Sequence, residues 1–182
     1  MLPILSFFIH DCAEGKKFSF IFMIALLLPL FLFGACDKAD ENILKVGDKA
    51  PQFETVDIYD TKVSSQEALG KPMILRFFNP DCKYCKADTP VFNEYYAKYK
   101  DKGLQVVYLN TDESQPNETE KFIKELKIEF PVVLDSERKI ANLFLVQVVP
   151  QTIILNPQHI IIGAILGGVS ESELNDMLGE YL

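Results

Sequence analysis

The sequence predicts one α/β domain in which buried strands alternate with amphipathic helices. Three apolar runs of strand length, Met73–Phe78, Leu104–Asn110 and Phe130–Asp135, are typical of inner strands covered on both faces. Helical segments follow these runs, and two further strands and a last helix complete the pattern. There is no internal repeat and no low-complexity tract after residue 36, so a single domain is expected.

The first elements of this domain are short. The alternating stretch Phe53–Ile58 and the turn residues Asp60–Lys62 predict a β-hairpin or two edge strands. Ser64–Gly70 is expected to form one helical turn that ends at Gly70. The first inner strand, Met73–Phe78, follows, and the amphipathic stretch Lys86–Tyr99 then predicts the first long helix.

Capping residues predict where the later helices begin. Asn117 and Glu120 have the spacing of a capping box, and Ser170 and Glu173 repeat it before the C-terminal helix. A short helix over Arg138–Leu145 is expected between them. The two final strands, Thr152–Leu155 and Ile160–Leu166, are joined by the turn Asn156–His159, in which we expect His159 to be exposed.

Cys82 and Cys85 stand at the start of the first long helix, directly after the first inner strand. Two cysteines three residues apart on the first turn of a helix lie on one face, close enough to exchange a disulfide for two thiols. Unpaired N–H groups at a helix start favour a thiolate on the first sulfur. This segment therefore predicts a dithiol oxidoreductase, in which Cys82 attacks a disulfide and Cys85 resolves the mixed disulfide.

Other uses of the cysteine pair are less well supported. Zinc needs four ligands, and after Cys36 only His159 could join the two cysteines, so neither a metal nor another cofactor is expected. A purely structural disulfide would close too small a loop to constrain the unfolded chain much. The alternative outside catalysis is a lipoprotein that only binds partners or a metal.

Residues 1–36 predict an export signal. Lys16 and Lys17 precede an uncharged, largely apolar run from Phe18 to Ala35. The end of this run, Phe33–Cys36, resembles a bacterial lipobox, in which the cysteine receives a diacylglycerol and becomes the new N-terminus. An uncleaved membrane anchor is the alternative. Both interpretations place the rest of the chain on the extracytoplasmic side of a membrane, in the cell envelope.

The remaining chain divides into a tether and a domain. Residues 37–45 are charged and poor in large apolar groups, which predicts a tether, and residues 46–182 hold the α/β domain. The formal net charge is −8, so no basic stripe is expected to bind the phosphates of a nucleic acid. We therefore expect no nucleic-acid partner.

The chain resembles the thioredoxin-like proteins, and the matching positions are Cys82, Cys85, Pro90, Val149–Pro150, Thr152 and Gly167. The opening Val46–Phe53 and an extra strand and helix before Phe130 narrow the resemblance to the TlpA/ResA group. These are membrane-tethered thiol–disulfide oxidoreductases and include cytochrome c maturation reductases. The resemblance implies a thioredoxin-like fold: a central mixed sheet flanked by helices, with an N-terminal hairpin and an inserted strand–helix unit.

The resemblance also implies partners and a binding mode. Pro150 would follow a cis peptide bond, and the backbone of Val149 would pair with an extended client peptide beside Cys82. Lys83 and Tyr84, between the cysteines, are expected to contact that client. Clients would be disulfide-bearing envelope proteins such as apocytochrome c, and electrons would come from a membrane thiol transporter of the DsbD/CcdA type.

Three charged residues are expected to tune the cysteines. Asp88 stands where the ResA-like branch carries a glutamate that influences the pair; the alternative is a solvated residue paired with a lysine. Arg76 replaces the buried aspartate of thioredoxins; it could favour the Cys85 thiolate and pair with Asp88, or extend to the surface. Asp81 places a negative charge where the Cys82 thiolate must form, which should weaken the couple as an oxidant. Lys83 and Lys86 act in the opposite direction.

A second enzymatic interpretation is a peroxiredoxin, since peroxiredoxins share much of this fold. They carry threonine or serine three residues before the reactive cysteine, and this chain has Asn79 there. The sequence therefore favours disulfide exchange over peroxide reduction.

Overall fold

The computed structural model of this protein describes residues 44–112 and 116–182. Its seven strands are β1 Glu54–Val56, β2 Lys62–Ser64, β3 Met73–Phe78, β4 Gln105–Asn110, β5 Val132–Leu134, β6 Gln151–Leu155 and β7 Ile161–Leu166. The α-helices in these ranges are α1 Lys83–Tyr99, α2 Pro116–Leu126, α3 Lys139–Leu143 and α4 Glu171–Leu178. None of the helices in the two described ranges is long and apolar enough to cross a membrane.

The central sheet has the strand order β5-β4-β3-β6-β7. β3, β4 and β5 run parallel, whereas β6 is antiparallel to β3 and β7 is antiparallel to β6. β1 and β2 form a separate antiparallel hairpin. The predicted mixed sheet, the N-terminal hairpin and the inserted β4–α2 unit are confirmed.

The apolar character of β3 follows from its central place, because every one of its residues is at most 2% exposed. Its side chains alternate between two apolar clusters, one on each face of the sheet. Ile74 and Phe78 belong to the cluster that contains Phe92 of α1. Met73 and Phe77 belong to the opposite cluster, which includes residues of the hairpin and of α3. The sheet is thus covered on both sides.

The strand directions bring four connecting segments to one edge of the sheet. β3 and β4 end there, because they are parallel, and their ends are joined where Thr111 N–H donates to the Phe78 carbonyl at 3.0 Å. β6 begins there and β7 ends there, because each is antiparallel to its neighbour. Gly167 N–H donates to the Pro150 carbonyl at 2.9 Å, which joins the last two segments. This edge carries the CxxC segment.

Several predicted local features are confirmed. The Val149–Pro150 peptide bond is cis, and Pro90 lies inside α1. The capping box at the start of α4 is complete: Glu173 N–H donates to Ser170 Oγ at 3.3 Å, and Ser170 N–H donates to Glu173 Oε2 at 2.9 Å.

Other local predictions are wrong. Residues 65–70 form turns with hydrogen bonds three residues apart, such as Lys71 N–H to the Ala68 carbonyl, rather than a helical turn. Gly70 nevertheless ends the segment with a left-handed backbone, φ of 88°, as a capping glycine does. Asn117 lies within α2, one position after Pro116, so it does not cap that helix. α3 is shorter than predicted, because Arg138 has a left-handed backbone with φ of 55°. His159 is only 4% exposed.

Candidate active site

Cys82 is the N-cap residue of α1 and is partly exposed, whereas Cys85 is fully buried one turn below. Cys82 Sγ accepts a hydrogen bond from Cys85 N–H at 3.2 Å, which satisfies one of the free donors of the first turn. The preceding loop is held by Asn79, whose carbonyl accepts from Cys82 N–H at 3.0 Å and whose Oδ1 accepts from Asp81 N–H at 3.0 Å. The fold therefore presents one sulfur and hides the other.

Cys85 is held as a neutral thiol. Burial raises the pKa of the Cys85 thiol to about 12, and its hydrogen bond with Cys82 adds to the shift. A hydrogen bond with the backbone of Asn79 and the charge of Arg76 act on this pKa in the opposite direction. Because only a thiolate attacks a disulfide, Cys85 must give up its proton before it can react.

Arg76 is completely buried beneath α1. Its Nη1 donates to Thr152 Oγ1 at 2.7 Å and to the Gly167 carbonyl at 3.0 Å, and its Nη2 pairs with Asp88 Oδ2. Its guanidinium carbon lies 5.2 Å from the centre of the Phe92 ring. The expected pair with Asp88 is confirmed, and the alternative that Arg76 extends to the surface is wrong.

Asp88 is also buried, one turn of α1 beyond Cys85. Its Oδ2 accepts from Arg76 and from Val169 N–H at 3.1 Å, while its buried Oδ1 has no hydrogen-bond partner among the described residues. Burial raises the pKa of Asp88, although Arg76 and the Val169 N–H oppose that shift. The alternative of a solvated aspartate paired with a lysine is wrong.

The other predicted site residues lie around this edge of the sheet. Asp81, Lys83 and Tyr84 are exposed, and Lys83 Nζ lies 5.0 Å from the centre of the Tyr84 ring. Val149 is partly buried and Pro150 is buried, immediately before β6. Because β6 begins beside the end of β3, the Val149–Pro150 segment belongs to the same edge as the loop that carries Cys82.

Sequence reasoning missed two buried hydroxyl groups next to Cys85. Thr89 Oγ1 donates to the Cys85 carbonyl at 2.6 Å and lies 3.3 Å from the hydroxyl of Tyr108. Burial raises the pKa of Tyr108 far above its ordinary value. Tyr108 pairs with Arg76 in the β3–β4 register. The fourth residue of β3 is Arg76 and the fourth residue of β4 is Tyr108. These two polar side chains at matching positions were the signal available in the sequence.

Within the described residues, no group of three or more His, Cys, Asp or Glu side chains could hold a metal ion. Lys86 is exposed on α1. Of the two described acidic residues nearest the cysteines in sequence, Asp81 is exposed and Asp88 is buried. The chemistry that this arrangement supports is thiol exchange by the cysteine pair itself, with one buried carboxylate three residues further along α1.

Comparison with known proteins agrees with this geometry. Residues 46–164 match the AhpC/TSA family. The chain is 29% identical to a thiol-disulfide oxidoreductase ResA of Bacillus cereus, over 90% of this chain and 96% of the relative. It is 31% identical to ResA of Oceanobacillus iheyensis, over 90% of this chain and 92% of the relative.

Among solved structures, a candidate thiol:disulfide interchange protein DsbE from Chlorobium tepidum has a TM-score of 0.70 with this chain. The two are 26% identical, and the match covers 76% of this chain and 98% of the other. These matches, together with the partly exposed Cys82 and the buried Cys85, identify the family. The chain belongs to the AhpC/TSA family and is a thioredoxin-like thiol–disulfide oxidoreductase of the ResA type.

Proposed function

We propose that this oxidoreductase works outside the cytoplasm and reduces disulfides in envelope proteins such as apocytochrome c. The observation that carries the proposal is the unequal exposure of the two sulfurs, with Cys82 reachable at the helix start and Cys85 fully buried behind it. This arrangement suits an enzyme that binds a client through one sulfur and releases it with the other.

The reaction proceeds in two thiol exchanges. The Cys82 thiolate attacks one sulfur of the client disulfide, so that a Cys82–client bond forms, the client bond breaks and the leaving sulfur takes up a proton. Cys85 then loses its proton and attacks Cys82 Sγ, which expels the second client sulfur. The client gains two electrons and two protons, and the enzyme is left with a Cys82–Cys85 disulfide. A membrane thiol transporter of the DsbD/CcdA type would return two electrons to it.

Asp88 is the group proposed to accept the proton of Cys85. Its Oδ1 is buried and free of hydrogen bonds among the described residues, and it lies one helical turn from Cys85. Arg76 keeps a positive charge beside the carboxylate and so favours its charged form. Asp81, Lys83 and Lys86 are exposed next to the cysteines, where their opposite charges are proposed to tune the redox couple.

The client is proposed to lie between Cys82 and Val149. The backbone of Val149 would pair with the extended client, and Pro150 would form the end of that contact. The exposed side chains of Lys83 and Tyr84 would contact the client on the other side of Cys82. We refer to the space between Cys82 and the Val149–Pro150 segment as the client groove.

The proposed location depends on the N-terminal segment. The signal of residues 1–36, the lipidation at Cys36 and most of the 37–45 tether lie outside the described residues. Their composition supports export and attachment to the membrane surface through a lipid on Cys36. The enzyme would then act at the extracytoplasmic, periplasmic side of that membrane.

The proposal is tested with the purified full chain in detergent, equilibrated with glutathione and dithiothreitol buffers. We expect a reduction potential close to that of thioredoxin, about −270 mV, and insulin reduction in the presence of dithiothreitol. A potential near that of DsbA, about −120 mV, would contradict a reductase. The mass of its N-terminal peptide should show a diacylglyceryl Cys36, and a retained Met1 would contradict lipid anchoring.

The same sample separates the alternatives. Peroxide turnover that exceeds insulin reduction would favour the peroxiredoxin interpretation. A protein that catalyses neither reaction would favour a lipoprotein that only binds partners or a metal.

A further inference from the structure

We propose that Arg76 is a positioning residue that sets the width of the client groove. The inference rests on the proposed function and deepens it, because it assigns the residue that holds the two sides of the groove in place. Arg76 does not reach the client itself, since its side chain is completely buried.

Arg76 connects three separate segments through one guanidinium group. It pairs with Asp88 on α1, the helix that carries both cysteines. It donates to Thr152 Oγ1 at 2.7 Å near the start of β6, and to the Gly167 carbonyl at 3.0 Å in the loop after β7. A planar guanidinium has donors at fixed angles, so these three acceptors are held in one fixed arrangement.

These three segments lie next to the proposed client groove. Thr152 follows Pro150 by two residues, and Gly167 N–H donates to the Pro150 carbonyl at 2.9 Å. Val169 N–H donates to Asp88 Oδ2 at 3.1 Å, so the loop after β7 is fastened to α1 as well. Arg76 therefore lies beneath the groove, between the helix of Cys82 and the segment of Pro150.

Backbone pairing fixes part of this arrangement without Arg76. Thr152 pairs with Arg76 in the β3–β6 ladder, so β6 stays beside β3 in any case. α1 and the 167–169 loop lie outside the ladder. The Gly167 N–H bond to the Pro150 carbonyl joins the loop to the start of β6, and the bonds to Arg76 and Asp88 join α1 to the sheet and to the loop. The position of α1 relative to Pro150 is thus the quantity that Arg76 controls.

The test compares two disulfide substrates. One is a long peptide disulfide with several residues on each side of the bond, and the other is oxidised glutathione, which is too short to span the groove. For Arg76→Lys we expect kcat/KM for the long peptide to fall about tenfold, mainly through KM. We expect the value for oxidised glutathione to fall by about threefold or less. Lysine keeps the charge but loses the fixed fork of donors.

A second variant covers the possibility that Arg76→Lys fails to fold. Thr152→Val removes one acceptor at nearly constant volume and should give the same selectivity, a loss of about threefold for the long peptide only. Lys98→Gln is the control, because it removes an exposed ion pair between α1 and α4, Lys98 Nζ to Glu171 Oε1 at 3.3 Å, away from the groove. This control should leave kcat/KM unchanged for both substrates.

Equal losses for both substrates in the folded variants would show a merely structural role and overturn the inference. Unchanged kinetics in each of the two single variants, Thr152→Val and Arg76→Lys, would overturn it as well. Failure of the proposed function is distinguishable, because the wild-type chain would then reduce neither substrate.

Discussion

Replacing Cys82 with serine is expected to abolish disulfide reduction, with a loss of about a thousandfold or more in rate. A serine hydroxyl does not ionise at neutral pH and cannot replace the thiolate. The fold should survive, because Cys82 is the N-cap of α1 and serine is among the best residues at that position. Insulin reduction gives the rate, and urea unfolding checks that the variant is folded.

Cys85→Ala is the matched variant, since it leaves the nucleophile and removes only the resolving sulfur. It should react once with a client and then stop, because nothing can displace the client from Cys82. Mass spectrometry of the trapped complex should place the client on Cys82, and apocytochrome c is the client that the proposed function expects. Cys82→Ser with more than about a tenth of the wild-type rate would contradict the assignment of roles.

Arg76→Met is expected to lower the free energy of unfolding by about 3–5 kcal/mol, because it leaves the Asp88 carboxylate buried without its cation. The double variant Arg76→Met with Asp88→Leu should recover most of this loss, since an apolar pair of similar volume replaces a buried ion pair with little cost. Urea unfolding measures the free energy of unfolding of the single and the double variant. Lys124→Met, which removes an exposed pair with Glu120, is the control and should change stability little.

The pH dependence of this loss has a definite sign. The pKa of Asp88 is raised by burial even beside Arg76, and without the cation it should rise further. A raised carboxyl pKa favours the folded state below the pKa of the unfolded chain, and that contribution is lost as pH rises through the folded value. Arg76→Met should therefore cost least in acid and most at neutral pH. A single variant within about 1 kcal/mol of wild type, or a double variant no more stable than the single, would contradict the buried pair.

The strands and the cysteine segment were predictable because they depend on local sequence. β3 is an unbroken apolar run apart from Arg76, and full burial on both faces requires such a run. Cys82 and Cys85 follow it directly, so their place at the helix start needed no long-range information. The Val149–Pro150 bond stands at the entrance of a strand, where an X-Pro bond is a candidate cis peptide, and the resemblance to a family implied the same bond.

Residues whose surroundings come from distant segments were not predictable. Arg76 is one charge in an apolar run; its pair with Asp88 was expected, but only the β3–β6 register shows that it also meets Thr152. His159 lies in a polar turn, yet it is buried. Burial lowers the pKa of His159, and hydrogen bonds with the backbone of Ala68 and Lys71 oppose that shift. Local polarity gives no indication of either contact.

Competitive alkylation of the reduced full chain tests the different exposure of the two thiols most directly. The protein is treated with iodoacetamide at about pH 8 for increasing times, and mass spectrometry follows each cysteine separately, with a sample in urea as the control. We expect Cys82 to react about a hundredfold faster than Cys85, because Cys85 is fully buried and burial raises its thiol pKa to about 12. Equal rates for the two thiols in the folded protein, or faster reaction of Cys85, would contradict the assignment of Cys82 as the nucleophile.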